Sequence, residues 1–230
     1  RKMLKRIKTG VPGFDKLIEG GLIQNSVNLL SGGTGTGKTI FCLQFLYSGA
    51  KESNEKGIYI SFEESSEDLK SDALELGLNF GPLSDKVKFI HIPPYDMINF
   101  LNVLKEEVLM FDPKRLVLDS VSALSMTMED DFEIRKQIFK IKETLKSLNC
   151  TSILISEATA DSSISSESIG KASRSEIEEF LCDSVTALYY AGIGGVSDRA
   201  IRVIKMRKTN HKRGPMPMEI GKLGLKILKE

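Results

Sequence analysis

Two rhythms of apolar residues divide this chain. Short apolar runs over 27–30, 57–62, 87–92, 116–119 and 151–156 have the length and content of buried strands. Between them lie longer segments whose apolar residues recur every third or fourth position. Phe41, Leu43, Phe45, Leu46 and Ala50 crowd several sides of the first, which predicts a helix buried against a sheet. Leu69, Ala73 and Leu76 line one face of the second, with Ser65 as its cap and Asp68 three residues on in a short capping box. A third helix is predicted over 97–111, stopped by Asp112-Pro113, and a fourth opens at Asp130-Asp131 and carries Ile134, Ile138, Ile141, Leu145 and Leu148 on one face. Strands alternating with helices in this way predict an α/β fold with a mostly parallel central sheet flanked by helices.

The two ends of the chain follow other patterns. Thr9 to Ile18 reads as a turn and a short helix, ended by Glu19-Gly-Gly21 as a glycine cap would end it. After 157 comes a serine-rich polar stretch over 158–176 without periodicity, expected to be a long surface loop. Strand-like segments over 184–190, 199–206 and 223–228 then close the chain.

Composition changes this picture little. A chain of 230 residues without internal repeat or compositional break is expected to form one domain, 1–230. The net charge of +1 carries no general bias toward nucleic acid or anionic membrane, so such a partner needs a local patch. Cys42, Cys150 and Cys182 are widely spaced in apolar segments and read as small buried hydrophobes rather than a disulfide or zinc framework. His91, between apolar neighbours, reads as structural. No apolar run approaches the length of a membrane span, and the basic start lacks the apolar core of a signal peptide; a cytoplasmic protein is expected. A start at Arg1 with Met3 inside points to an upstream segment or an added residue.

Candidate chemistry begins at Ser31-Gly-Gly-Thr-Gly-Thr-Gly-Lys-Thr39, which matches G-x-x-x-x-G-K-[ST] between a predicted strand and a predicted helix. Its glycines let successive backbone N–H groups turn inward, and the helix adds the positive end of its dipole, so the loop fits a polyphosphate. Gly33, Thr34, Gly35, Thr36, Gly37, Lys38, Thr39 and Ile40 form the expected cradle. Lys38 would reach the β- and γ-phosphates and the Thr39 hydroxyl would hold Mg²⁺. Glu63 and Glu64 end the strand at 57–62 and Asp119 ends the one at 116–119, which brings all three to the rim where α/β sheets bind ligands. Asp119 has the form of a Walker B acid that orients the metal. Two solvated acids remain the plain alternative at 63 and 64. Lys205, Arg207, Lys208, His211, Lys212 and Arg213 form a basic cluster closed by Gly214-Pro-Met-Pro217, either a solvated hairpin or a phosphate contact.

Taken together and in order, Thr9-Gly-Val-Pro-Gly-Phe-Asp15, the glycine loop, Phe62-Glu-Glu-Ser65, the LDSVSAL run from Leu118, Glu178-Glu-Phe-Leu181 and Lys205-Met-Arg207 resemble the KaiC-like ATPases of the RecA superfamily. The resemblance covers nearly the whole chain. It implies a RecA-like P-loop core with C-terminal antiparallel strands and a homo-oligomeric ring, expected to be hexameric, with ATP and Mg²⁺ at each interface. It further implies that Glu63 polarises the attacking water beside Glu64, that Lys205 and Arg207 reach a neighbouring subunit's γ-phosphate, and that His211 touches the same nucleotide. Slow hydrolysis that gates assembly or a protein partner is the expected function. Where KaiC-type autokinases carry hydroxyl acceptors this chain places Glu179 and Phe180, which leaves autophosphorylation as an alternative confined to Ser162 through Ser175. A DNA-dependent ATPase of the RecA or RadA type is the other alternative. It is disfavoured because its two pore loops, at 125–131 and 158–175, hold Glu129-Asp-Asp131 in one and only Lys171 and Arg174 in the other, with no aromatic for base stacking in the second.

Overall fold

A computed structural model describes residues 4–93, 100–123, 131–157, 182–192, 194–195 and 198–228. The elements in chain order are β1 (Arg6–Ile7), α1 (Phe14–Leu17), β2 (Leu22–Ile23), β3 (Val27–Gly32), α2 (Lys38–Glu52), β4 (Gly57–Ser61), α3 (Ser66–Glu75), β5 (Val87–His91), α4 (Phe100–Phe111), β6 (Arg115–Asp119), α5 (Asp131–Ser147), β7 (Thr151–Glu157), β8 (Ser184–Tyr190), β9 (Arg199–Met206), β10 (Met216–Gly221) and β11 (Gly224–Ile227). Among the described residues nine strands form one sheet in the order β11-β10-β9-β8-β3-β7-β6-β4-β5. The pairs from β8 to β5 are parallel and those from β8 to β11 antiparallel. The expected mostly parallel sheet with C-terminal antiparallel strands is therefore what the chain forms.

Helices bury both faces of the sheet, which is why its central strands read as unbroken apolar runs. One face packs α2 through Phe41, Phe45 and Leu46 against Leu30, Tyr59, Val117 and Ile153; the other packs α4 and α5 through Leu104, Val108, Ile138 and Leu145 against Leu29, Ile60, Leu118 and Leu154. The predicted cap of α3 is present, with the Ser65 hydroxyl accepting from Asp68 N at 3.1 Å. Arg115, at the base of β6, has 1% exposure. Its Nε meets Glu55 at 2.7 Å, and its Nη1 donates to the carbonyls of Lys8 and Phe45 at 2.8 and 2.7 Å. The three cysteines are buried and unbridged.

Several details depart from the sequence reading. Pro215 to Pro217, read as the end of a turn, leads into β10. Pro217 is tolerated there because a proline keeps its carbonyl, which accepts from Leu228 N at 2.9 Å. The left-handed turn after α1 begins at Glu19, with φ 56°, one residue before the glycines. His91 is exposed at the end of the edge strand rather than set among apolar neighbours. Residues 97–99 and 124–130, the serine-rich stretch over 158–176 and positions 178–181 lie outside the described residues, as do nearly all of both stretches matched to pore loops. No described helix is long and apolar enough to cross a membrane.

Candidate nucleotide site

The glycine loop fills the space between the end of β3 and the first turn of α2. Gly37 adopts φ 101°, which requires glycine, and a Cβ there would also crowd Ile220 Cδ1 at 2.8 Å. A Cβ on Gly32 would meet the Thr36 hydroxyl at 2.7 Å and the Leu188 carbonyl at 2.8 Å. Thr36 is buried and donates to Gly33 O at 2.8 Å, while Thr34 and Gly35 are exposed at the tip; Thr39 and Ile40 are half-buried in the first turn of α2. Lys38 Nζ donates to the carbonyls of Gly32 and Gly33 at 2.9 and 2.8 Å. An ammonium has three protons, so Lys38 lies folded on the floor of the loop with two engaged.

Neighbouring strands deliver the acids to the same rim. Ser61 stands opposite Asp119, and Gly32 opposite Glu157. The Ser61 hydroxyl accepts from the backbone N–H groups of Glu63 and Glu64 at 3.3 and 2.8 Å, which curls the chain and exposes both glutamates directly above β4. Ser120, joined to Asp119 by a cis peptide, donates to Glu63 Oε1 at 3.4 Å. Burial holds Lys38 below its ordinary value, against the opposing negative charge of Glu157, Asp119 and Glu63. Burial likewise raises Asp119 to about 6, and the Tyr59 hydroxyl, donating to its Oδ2 at 2.5 Å, works the other way. Glu64 is raised by burial and by Asp72, Glu63 and Asp68. The loop, Lys38, Thr39, Glu63, Glu64 and Asp119 thus share one rim.

Magnesium needs few protein ligands, because phosphate oxygens and waters complete its octahedron. The Thr39 hydroxyl and the Asp119 carboxylate are hard oxygen donors of the required kind. Among the described residues no group of three or more His, Cys, Asp or Glu could hold a metal alone. Such a donor set fits a metal that arrives with its nucleotide.

Lys205, Arg207 and His211 are elsewhere. Strand β9 runs antiparallel to β8, so Arg199 stands opposite Tyr190 at the loop's end of the sheet and Met206 opposite Ser184 at the far end. From Arg199 to Arg207 is about 26 Å of strand. An extra residue in β9, where the register shifts between Val185 and Thr186, breaks its alternation: Ile201 and Val203 face the core, then Met206 does, and Arg207 is exposed. Lys205 Nζ donates to Cys182 O at 3.0 Å and Arg207 N to Asp183 O at 2.9 Å. The loop beyond is tied to β1 and α1, since Arg6 donates to the Thr209 hydroxyl at 3.1 Å and Lys212 N to Leu17 O at 2.8 Å.

Two residues that touch the rim groups escape motif reading. Arg199 hydrogen-bonds Gly35 O in the glycine loop and stacks on the Tyr190 ring at 3.9 Å. Its only sequence signal is a cation opening a strand that must return from the rim. Tyr59 is a lone phenol in a buried apolar strand, which is a signal only once its hydroxyl is known to need a partner.

A phosphate loop between a central parallel strand and its helix, in a sheet prolonged by antiparallel C-terminal strands, defines a RecA-like P-loop fold. A sequence profile described as "ATPase: KaiC" matches residues 7–230, and the chain belongs to that family of ATPases. The circadian clock oscillator protein KaiC of Parasynechococcus marenigrum strain WH8102 is 29% identical over 97% of this chain but only 45% of its own length. The chain thus spans less than half of that curated relative. A protein of Thermotoga maritima described as "UPF0273 protein" is 32% identical over 98% of this chain and 96% of its own. The crystal structure of a KaiC-like protein from Pyrococcus horikoshii OT3 superposes with a TM-score of 0.86 at 34% identity, covering 99% of this chain and 100% of that one.

Proposed function

We propose that this chain is one ATPase domain that binds ATP with Mg²⁺ and hydrolyses it slowly within a hexameric cytoplasmic ring, the nucleotide state of each interface gating assembly or a protein partner. The observation that carries this reading is the separation along β9. A chain whose loop and acids lie at one end of the sheet, and whose densest cations lie at the other, offers half of a site twice. Closure then requires a head-to-tail neighbour, which in a closed assembly makes a ring.

In the composite site the loop N–H groups and Lys38 hold the β- and γ-phosphates, the lysine turning from the two carbonyls it now engages. Thr39 and Asp119 orient Mg²⁺, which when bound neutralises phosphate charge. Glu63, held by the Ser61 turn, aligns the attacking water with Glu64 beside it. Lys205 and Arg207 of the adjacent subunit stabilise charge developing on the transferred phosphoryl, and His211 contacts the same nucleotide.

Subunit mixing tests the division of labour. Glu63→Gln and Arg207→Ala should each abolish phosphate release while leaving ATP binding intact. Co-assembled one to one, they should recover about a quarter of wild-type turnover, because random neighbours pair an intact Glu63 with an intact Arg207 at that fraction of interfaces. No recovery from mixed assemblies of confirmed composition would overturn the reading.

A further inference from the structure

Tyr59 is fully buried in the middle of β4, between Ile58 and Ile60, which are buried on the opposite face of the sheet. It stands in register with Val117, two residue pairs below the Ser61–Asp119 pair and so on the same face of the sheet, the one covered by α2. From that position its hydroxyl reaches up and donates to Oδ2 of Asp119 from beneath. The ring has support of its own, stacking on Phe89 at 5.8 Å with the planes 17° apart. The phenol is therefore the fixed post and the carboxylate the group it fixes. This matters because the terminal torsion of an aspartate is broad and soft, so packing of the strand alone does not choose which carboxylate oxygen faces the nucleotide.

We propose that Tyr59 is a positioning and metal-selecting residue: by engaging Oδ2 it pins the plane of the Asp119 carboxylate so that one oxygen leads toward the metal, and so favours Mg²⁺ over Ca²⁺. Mg²⁺ demands a near-ideal octahedron and is served by one oxygen from a carboxylate, whereas Ca²⁺ accepts six to eight ligands and takes carboxylates in bidentate fashion. An Asp119 free to turn both oxygens outward would suit the larger ion. The inference rests on the reading of Asp119 as the metal-orienting acid.

The test measures Mg²⁺ and Ca²⁺ affinities calorimetrically on the whole protein carrying ADP, with melting temperatures recorded alongside. Tyr59→Phe keeps the ring and its stacking and removes only the hydroxyl. It should weaken Mg²⁺ about tenfold, because the carboxylate's soft terminal torsion must then be fixed on binding, while Ca²⁺ binding holds or tightens. Asp119→Glu, which carries the carboxylate past the phenol with Tyr59 intact, should show the same collapse of the Mg²⁺/Ca²⁺ ratio. A lowered melting temperature with both affinities shifted equally, or a wild-type ratio in either variant, would overturn the proposal. Asp119→Asn separates the layers. If it leaves Mg²⁺ affinity unchanged, the reading of Asp119 itself falls; if it abolishes Mg²⁺ binding while Tyr59→Phe keeps the wild-type ratio, only the role of Tyr59 falls.

Discussion

Asp119 is a carboxylate under opposing demands, since the rim needs its charge and the sheet buries it. With its folded value raised to about 6 from an ordinary 3.8, the folded protein holds a proton there more tightly than the unfolded chain does. Metal-free stability associated with this group is therefore greatest below about 3.8 and is lost as pH rises through about 6. Asp119→Asn, which keeps an acceptor for Tyr59 but carries no charge, should be more stable than wild type by on the order of 1–3 kcal/mol at pH 7.5 without metal. That advantage should vanish below about pH 4 in denaturant titrations. In the proposed role of Asp119, protons and metal compete for its carboxylate, so Mg²⁺ affinity should weaken as pH falls through about 6.

Among the elements, β6 carries Asp119 at its top and Arg115 at its base, and the base shows how the strand is held. Arg115 joins β6 to α2 through Phe45 O, to the N-terminal segment through Lys8 O, and to Glu55. Arg115→Met would remove the arginine donor from the buried Phe45 carbonyl, the part-buried Lys8 carbonyl and the partly buried Glu55 carboxylate, and should cost about 3 kcal/mol in urea unfolding with an unchanged m-value. The sequence allowed this level to be read unevenly. Strands buried on both faces announced themselves, and so did α2, the Ser65 cap and the glycine loop, because each rests on local chemistry. Strand β10 did not, because Pro217 argues against a strand unless its carbonyl is known to have a partner. The bulge that resets β9 was equally silent. Its effect depends on β8, and nothing in the spacing of Lys205 and Arg207 says how far they lie from Lys38. Nothing in the sequence around Arg115 distinguishes it from a surface cation; its burial in the fold does.

At the scale of the whole molecule, the proposed composite site requires the chain to assemble when the shared ligand is present. Light scattering should give a ring-sized species with ATP and Mg²⁺ and a smaller one without. A monomer under both conditions would count against a composite site.

Strand β9 then takes on a mechanical meaning. One end holds Arg199 against the glycine loop of its own subunit, and beyond the other lies Arg207, which the proposed ring would turn toward the loop of the next. Around such an assembly each subunit would act as a stiff lever whose two tips rest in successive sites. Whatever moves Gly35 at one site has a single hydrogen-bonded strand through which to be felt at the following one, so firing in sequence would need no relay beyond the sheet.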